Sequence, residues 1–291
     1  MKINDQKETE FREGSVNDGI ACGKICFSAF KTIADQHHFP SEFPQLEPTV
    51  SIISSMLANS GFYSVIAERN GEIVGSNFLD ERGSILGIGP ISIDPTVQNT
   101  GIGRQLMQNV VDRAISQGRP NIRLHTASHH GRSISLYSKI GFKVQAPMVI
   151  LQGPRIQEVV PNTKVRQAQS SDLDAISHLC EMVHGCQRQQ EVSEAIIQGT
   201  ASVVERAGRI TGYASEVSFF GHAVGETNDD IKALIAATSE YKGAGFLLPM
   251  TNHDLLTWCL ANGLKIVMSM VHMTRGLYNQ PQGAYLPSIL Y

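Results

Sequence analysis

The sequence predicts an α/β protein built from two copies of one folding unit. Three observations carry this prediction. Short alternating or apolar runs, typical of strands, are interspersed with runs of helical apolar periodicity. The chain has 291 residues, of which 42% are hydrophobic, so it is long enough for two hydrophobic cores. Features of the first half also recur in the second half in the same order.

Periodicity and turn residues predict each element of the first half in turn. The predicted elements are a strand over 8–14, a helix from 15 to about 34, a proline-containing loop over 37–48, a helix over 49–59, and two strands over 62–68 and 73–79. The pair Asn70-Gly71 favours a tight turn between the last two strands, because both residues tolerate positive φ.

The stretch Ser84–Met107 combines an apolar strand, a glycine-containing loop and a helix. The strand covers Ile85–Ile93, and the loop Gln98–Gly103 places Gly101 and Gly103 where the helix begins. Glycines allow close approach of a ligand to the backbone. The first-turn N–H groups of a helix are unpaired and lie at the positive end of its dipole. The stretch therefore predicts a phosphate or pyrophosphate site.

Two common phosphate-binding motifs do not fit this loop. A P-loop requires Lys followed by Ser or Thr, and neither pair follows Gly103. A dinucleotide-binding fingerprint requires a third glycine, and Leu106 stands at that position. A tight turn without any ligand remains the alternative interpretation of the loop alone.

A second motif follows in the expected order. Asn121–Ala127 predicts a strand, Gly131–Gly141 a short helix ended by glycine, and Phe142–Gln152 a last strand. The loop Gln98–Gly103 resembles the Q/R-x-x-G-x-G/A signature of the GCN5-related N-acetyltransferase (GNAT) superfamily. The string Leu136–Phe142, LYSKIGF, resembles the L-Y-x-K-x-G-F element of the same superfamily. This resemblance implies the GNAT (acyl-CoA N-acyltransferase) fold, an α/β fold with a mixed β-sheet.

The resemblance also implies a co-substrate, acetyl-CoA, and the residues that bind it. In the superfamily the loop cradles the pyrophosphate, and the pantetheine arm pairs with the fourth strand, where Gly87, Gly89 and Pro90 favour a bulge. The implied acetyl-CoA contacts are Ile91, Ser92, Ile93, Gln98, Asn99, Thr100, Gly101, Ile102, Gly103, Arg104, His130 and Ser133. His130 stands where the superfamily often has Asn, which is a departure from the pattern.

Tyr137 is the catalytic candidate. The resemblance implies that its hydroxyl donates a proton to the CoA thiolate, and a core tyrosine is the alternative interpretation. The general base is not evident, because the fourth strand has no ionisable side chain before Asp94. Asn77, Asp80 and Glu81 are candidates for the acceptor pocket. Ordered water, Asp80 or Glu81 would deprotonate the amine, although the two carboxylates also suit a solvated turn.

The second half repeats the first. Residues 165–168 match 11–14, residues 205–212 match 68–75, and residues 263–266 match 141–144. The intervening 153–164 contains two prolines and suits a linker. The sequence thus predicts tandem GNAT domains, with an N-terminal domain over 1–152 that holds the acetyl-CoA site and a C-terminal domain over 165–291.

The second copy is predicted to be degenerate. Glu226, Asp229 and Asp230 stand where the first copy has its glycine loop, and Cys259 replaces the tyrosine. Carboxylates at a helix N-terminus repel a pyrophosphate. The predicted role of this copy is packing or shaping a substrate cleft, and a second working site is the alternative.

Composition narrows the function further. A formal charge of −3 argues against a nucleic-acid partner. The N-terminus has no apolar signal-peptide region and no stretch approaches 18 uninterrupted apolar residues, which predicts a cytoplasmic protein without a membrane partner. Five cysteines form no disulfide framework, and Cys22 and Cys26 are predicted core thiols. His125, His129 and His130 lack further ligands at metal-binding spacing, so no metal is predicted.

The resemblance to the GNAT superfamily implies an acetyl-CoA-dependent N-acetyltransferase. The expected acceptor is a primary amine of a small molecule, which attacks the thioester directly in a ternary complex. Two alternatives stay open: acetylation of a protein or peptide amine, and a non-catalytic acyl-CoA-binding sensor. The protein is a possible homodimer.

Overall fold

The computed structural model describes residues 9–290. These residues form two compact units, the first extending to Glu81 and including Ile88–Pro120, the second comprising Arg82–Gly87 and the chain from Asn121 onward. Residues 1–8, which include Glu8 of the predicted first strand and the charged N-terminal segment, lie outside the described residues. The predicted domain boundaries at 152 and 165 follow the sequence repeat and stay a prediction.

The first unit is an antiparallel sheet packed with three helices. Its elements are β1 (Thr9–Glu13), α1 (Gly19–His37), α2 (Leu46–Ala58), β2 (Phe62–Arg69), β3 (Glu72–Asp80), β4 (Leu86–Ile88, which the unit boundary crosses), β5 (Ser92–Ile93) and α3 (Ile102–Ser116). Strand β2 pairs antiparallel with β1 and β3, and β5 pairs antiparallel with β3. Helix α1 packs on α2, β3 and β5, whereas α3 packs on β2 and β3.

Local sequence explains where these elements begin and end. Asn70 (φ 55°) and Gly71 (φ 78°) form the predicted hairpin turn. Helix α2 begins at Leu46 instead of residue 49, because Pro48 falls in its first turn, where no backbone N–H is needed. Cys22 and Cys26 are fully buried free thiols of α1, which confirms the expected core position.

The predicted continuous strand over 85–93 is interrupted. Strand β4 ends at Ile88 and β5 begins at Ser92. Between them, Gly89 has φ 135° and the Gly89–Pro90 peptide is cis. Pro90 has no N–H to donate to a neighbouring strand, so the ladder stops at this position. The Gly89 N–H still donates to the Phe78 carbonyl at 3.0 Å, so the segment between β4 and β5 remains hydrogen-bonded to β3.

The second unit contains two sheets. Its elements are β6 (Ile122–Ala127), α4 (Gly131–Lys139), β7 (Lys143–Gln152), β8 (Lys164–Gln167), α5 (Leu173–His184), α6 (Gln189–Gln198), β9 (Ser202–Arg206), β10 (Arg209–Ala214), β11 (Ala223–Gly225), α7 (Asn228–Ala237), β12 (Phe246–Pro249), α8 (His253–Ala261), β13 (Lys265–Arg275) and β14 (Ala284–Leu286). One sheet includes the order β6-β13-β7-β12, and the other has the order β14-β11-β10-β9-β8.

Strand β13 joins the two repeats within this unit. It comes from the second repeat, yet it pairs antiparallel with both β6 and β7, which come from the first. Residues separated by more than a hundred positions in the chain therefore share one sheet. Because β13 pairs with strands of the other repeat, the two compact units do not coincide with the two sequence repeats.

The repeat is visible in a matching trio of charged side chains. In the first unit Arg12 Nη1 lies 2.8 Å from Asp18 Oδ2, and Arg12 Nε donates to Glu68. The corresponding trio of the second unit is Arg166, Asp172 and Glu205, with both contacts at 2.6 Å. Each arginine joins the first strand of a repeat to the helix start and to the hairpin strand, so the same interaction is used in both copies.

We expect Asp18→Asn to lower the free energy of unfolding by about 1–2 kcal/mol at pH 7. The Arg12 guanidinium lowers the pKa of Asp18 from 3.8 to about 2. Because the folded-state pKa lies below the unfolded-state value, this stabilisation is present above about pH 4 and is lost as the pH falls toward 2. Urea denaturation at pH 7 measures the effect.

Asp35→Asn is the matched control for this prediction. Asp35 also pairs with a cation, Lys31, but both side chains are more than half exposed. Exposed pairs contribute at most a few tenths of a kcal/mol. Equal losses in the two variants would contradict a stabilising role for the Arg12 trio.

Candidate functional site

The loop between β5 and α3 is held in shape by its own side chains. Asp94 accepts hydrogen bonds from the backbone N–H of Thr96 at 2.8 Å and from its hydroxyl at 2.7 Å. The Thr100 hydroxyl donates to the Val97 carbonyl at 2.7 Å. These bonds stabilise the tight turn over Pro95–Val97, so the chain enters α3 in a defined conformation.

The N-terminus of α3 is open and carries no acidic residue. Gly101 is the N-cap with φ 89°, and no side chain of the described chain caps the helix. A Cβ added at Gly101 would meet no heavy atom of the described residues within 4 Å. The first turn contributes Arg104, which is exposed. Unpaired amides, the helix dipole and one cation suit a pyrophosphate at this position.

Residues of β5, the strand that leads into this loop, form hydrogen bonds with other residues of the first unit. Ser92 is buried, and its Oγ lies 3.3 Å from Ser76 Oγ on β3. Gln98 Nε2 lies 3.5 Å from the Ile93 carbonyl, at the limit of a hydrogen bond. The first unit thus brings the predicted residues from Ile91 to Arg104 together in one strand–loop–helix segment.

The second unit carries the predicted residues of α4. Ser133 Oγ lies 2.6 Å from Nδ1 of His130, the N-cap of the helix. Tyr137 is 5% exposed, and Ser133 also forms a hydrogen bond with its hydroxyl. Burial raises the pKa of Tyr137, and the Ser133 bond opposes this only in part. The phenol is therefore protonated at neutral pH and is suited to donate a proton.

The three predicted acceptor residues lie near the end of β3. Asn77 is buried, donates from Nδ2 to the Leu106 carbonyl at 3.3 Å, and accepts from the Phe78 N–H at 2.9 Å. Glu81 binds Arg113 through both carboxylate oxygens, at 2.9 and 3.1 Å. Asp80 is the last residue of β3. Asn77 and Glu81 thus have structural partners, and an acceptor contact for any of the three stays a prediction.

In the second copy, side chains of the protein itself occupy the N-terminus of the equivalent helix, α7. Asp230 in the first turn of α7 is fully buried. Its carboxylate accepts from the N–H and hydroxyl of Thr227 at 2.9 and 2.8 Å, and from the Thr211 hydroxyl at 2.6 Å. Arg206 Nη2 lies 3.1 Å from the same carboxylate. Of the other two predicted acids, Glu226 pairs with Arg209 and Asp229 with Lys232.

The edge of the fourth-strand counterpart β11 is also occupied. Strand β14 pairs antiparallel with it, with Val224 opposite Tyr285. A Cβ on Gly283 would lie 2.7 Å from the Gly225 carbonyl oxygen, so the two backbones approach closely. In the first copy, the resemblance described above predicts that the corresponding edge receives the pantetheine arm. Sequence reasoning missed β14, because its pairing is long-range and nothing in the first half matches it.

None of the helices in the described part of the chain combines the length and the apolar character needed to span a membrane. Residues 9–290 also contain no group of three or more His, Cys, Asp or Glu side chains arranged to hold a metal ion.

Sequence comparison matches residues 29–142 to the model of the Acetyltransferase (GNAT) family. The chain is 29% identical over 93 residues to a curated protein named IAA acetyltransferase from Azospirillum brasilense. That alignment covers 31% of this chain and 61% of the relative, which is less than two thirds of the relative's length.

Two solved structures superpose on nearly the whole chain. A putative acetyltransferase from Pyrococcus horikoshii superposes with a TM-score of 0.75 at 16% identity, covering 96% of this chain and 93% of that one. A tandem GNAT protein from the clavulanic acid biosynthesis pathway superposes with a TM-score of 0.58 at 13% identity, covering 94% and 100%. At these identities the likeness concerns the fold. Residues 29–142 thus match the acetyltransferase (GNAT) family model, and the chain as a whole has the tandem GNAT fold.

Proposed function

We propose that this protein is an acetyl-CoA-dependent N-acetyltransferase that acts on a primary amine of a small molecule. The observation that carries the proposal is the open start of α3, with Gly101 in the left-handed region and no acidic side chain in the first turn. The unpaired amides and the dipole at the N-terminus of α3 favour an anionic ligand. A carrier that holds an activated acyl group and contains a pyrophosphate therefore suits this position better than an uncharged ligand.

The residues proposed to bind acetyl-CoA are those that the two sequence motifs imply. They are Ile91, Ser92, Ile93, Gln98, Asn99, Thr100, Gly101, Ile102, Gly103, Arg104, His130 and Ser133. Acetyl-CoA supplies the thioester that the amine attacks directly. The chain's own contributions are the amides and cation at α3 and the proton donor on α4.

Tyr137 is proposed to protonate the departing thiolate. Its protonated phenol and its bond to Ser133 support this role. The Ser133–His130 contact holds Ser133 in place, which makes both residues positioning residues for the phenol. Deprotonation of the amine is assigned to ordered water or to Asp80 or Glu81, as the sequence suggested.

Steady-state release of CoA thiol from acetyl-CoA tests the proposed function. We expect release to depend on added amine across a panel of small amines, and the acetylated amine to be found by mass spectrometry. Tight binding of acetyl-CoA without turnover of any small amine, peptide or protein would instead support the acyl-CoA sensor. Turnover of protein or peptide amines alone would support the second alternative.

We expect one acetyl-CoA to bind per chain. In the second copy, the buried Asp230 occupies the N-terminus of α7, and β14 occupies the edge of β11. Isothermal titration calorimetry measures the stoichiometry, and a Gly101 variant should remove the single binding event. Two sites per chain would contradict the proposed degeneracy of the second copy.

A further inference from the structure

At three places in the chain an Asn or Asp residue is followed directly by glycine. They are Asp18-Gly19, Asn70-Gly71 and Asn262-Gly263. At such a place the glycine backbone nitrogen can attack the side-chain carbonyl carbon and close a five-membered succinimide ring, because glycine has no Cβ to hinder the approach. The reaction requires a side chain that is free to rotate and a backbone N–H that is free to lose its proton. The fold determines which of the three places meets both requirements.

At Asp18-Gly19 the fold restrains both reacting groups. The Asp18 carboxylate accepts from both terminal nitrogens of Arg12, at 2.8 and 2.9 Å, and from the Ser15 N–H at 2.8 Å. The Gly19 N–H donates to the Val16 carbonyl oxygen. A carboxylate is also a poorer electrophile than a side-chain amide, so this place is protected from ring closure.

At Asn262-Gly263 both groups are restrained as well. Asn262 Nδ2 donates to a carboxylate oxygen of Glu158 at 3.2 Å and to the Trp258 carbonyl at 3.1 Å. The Gly263 N–H donates to the Leu260 carbonyl at 3.1 Å. These bonds must break before the nitrogen can reach the side-chain carbonyl, so ring closure is slow at the end of α8.

At Asn70-Gly71 neither group is restrained. Both residues are exposed, and the pairing of β2 with β3 ends at Arg69 and Glu72, which leaves the two turn residues outside the ladder. Among the described residues, neither the Asn70 side chain nor the Gly71 N–H has a hydrogen-bond partner. A Cβ added at Gly71 would meet no heavy atom of the described residues within 4 Å, so the attacking nitrogen is sterically open.

The conformation of this turn also suits the ring. Asn70 and Gly71 have φ values of 55° and 78°, and a two-residue loop with both φ values positive is a type I′ turn. Ring closure rotates the peptide plane between the two residues while φ of Asn70 stays positive, which converts the turn to type II′. Type II′ turns also connect hairpin strands with two residues. The strands β2 and β3 therefore keep their register in the cyclic intermediate.

We propose that Asn70 is a site of spontaneous deamidation, at which the folded protein converts the side-chain amide into isoaspartate and aspartate. The Gly71 nitrogen gives its proton to water and forms a bond to Asn70 Cγ, the bond from Cγ to the side-chain nitrogen breaks, and ammonia leaves with a proton from water. Water then opens the succinimide. Addition at Cγ gives aspartate, whereas addition at the backbone carbonyl carbon leaves Gly71 attached through Cγ and gives isoaspartate.

The two products change the hairpin in different ways. Isoaspartate adds one carbon atom to the main chain of a two-residue turn, and turn length fixes the register of the strands that it connects. Either product also places a new carboxylate between Glu68 and Glu72 in the sequence. We therefore expect the modified hairpin to be less stable than the original one.

Mass spectrometry of the aged full chain tests the proposal, with Asn262 as a control in the same molecule. The folded protein is incubated in mildly alkaline buffer and digested at acidic pH, and electron-transfer dissociation distinguishes isoaspartate from aspartate in the peptides. We expect deamidation at Asn70 to be at least about tenfold faster than at Asn262, because hydrogen bonds must break first only at Asn262. Both isoaspartate and aspartate should appear at Asn70.

Two further samples separate the effect of the fold from that of the local sequence. In urea the chain loses its hydrogen bonds, so the two Asn-Gly pairs should react at similar rates. Asn70→Gly removes the reacting amide and keeps a residue that tolerates positive φ. We expect the aged wild-type protein to unfold at a lower temperature than the fresh protein, and Asn70→Gly to show no such change on ageing.

Several results would overturn the proposal. The first is equal deamidation of Asn70 and Asn262 in the folded protein, or deamidation of neither. Aspartate without isoaspartate at Asn70 would exclude the succinimide, and an unchanged preference for Asn70 in urea would show that the fold does not select the site. An equal fall in unfolding temperature in wild type and Asn70→Gly would assign the damage to another residue.

Discussion

Replacing Gly101 by valine is expected to weaken acetyl-CoA binding by about 100-fold or more. Gly101 has φ 89°, a conformation that a β-branched residue adopts only with strain. Relief of that strain turns the first amides of α3 away from the ligand. A hydrogen bond to a charged group contributes about 1.5–3 kcal/mol, so the loss of two accounts for 100-fold or more. The new side chain would also enter the open space in front of the helix.

Calorimetry with acetyl-CoA measures this effect, and Gly71→Val is the matched control. Gly71 also has positive φ, 78°, and a Cβ there would also meet no heavy atom of the described residues within 4 Å. It lies in the β2–β3 hairpin turn, which is not part of the proposed site. Both variants should lose similar stability, but only Gly101→Val should lose affinity. Equal affinity losses, or unchanged affinity in Gly101→Val, would contradict pyrophosphate binding by the loop.

Local sequence was sufficient to predict the strand–loop–helix segment. A hairpin turn needs residues that tolerate positive φ, and an open helix start needs a residue such as Gly101, so both are encoded within a few positions. The interruption at Pro90 was predicted only as a bulge. The placement of β13 between β6 and β7 was not predicted, because strand pairing depends on distant residues and the repeat indicates only which elements exist.

The environment of His125 shows the same limit for buried polar side chains. His125 was considered with His129 and His130 as a possible metal ligand, because the three are close in sequence. Its hydrogen-bonded partner is His272, 147 positions away. A sequence signal was available, since Arg123 and His125 alternate with apolar residues in a strand that is buried throughout. Ionisable side chains are rarely fully buried, so their presence in such a strand indicates that they need hydrogen-bond partners from other parts of the chain.

Replacing Tyr137 by phenylalanine is expected to lower kcat by about 100-fold or more with little change in acetyl-CoA affinity. A thiol with a pKa near 8.5 leaves as an anion and is only partly reprotonated by water at neutral pH. Burial keeps the phenol protonated, and Ser133 forms a hydrogen bond with it, so the proton is available when the thiolate forms. The substitution removes one oxygen and keeps the ring beside Phe142, at a centroid distance of 6.4 Å.

Tyr241→Phe distinguishes the loss of a catalytic proton from the loss of a buried hydroxyl. Tyr241 is also buried, and its hydroxyl donates to the Ile235 carbonyl at 3.3 Å, remote in sequence from both GNAT motifs. Both variants lose a hydroxyl hydrogen bond, so each should be destabilised by about 1 kcal/mol, but only Tyr137→Phe should slow turnover. Pre-steady-state measurement of CoA thiol release separates the chemical step from product release. If Tyr137→Phe loses stability while kcat stays at the wild-type value, Tyr137 is a core residue, and the proton reaches the thiolate from water or from His130.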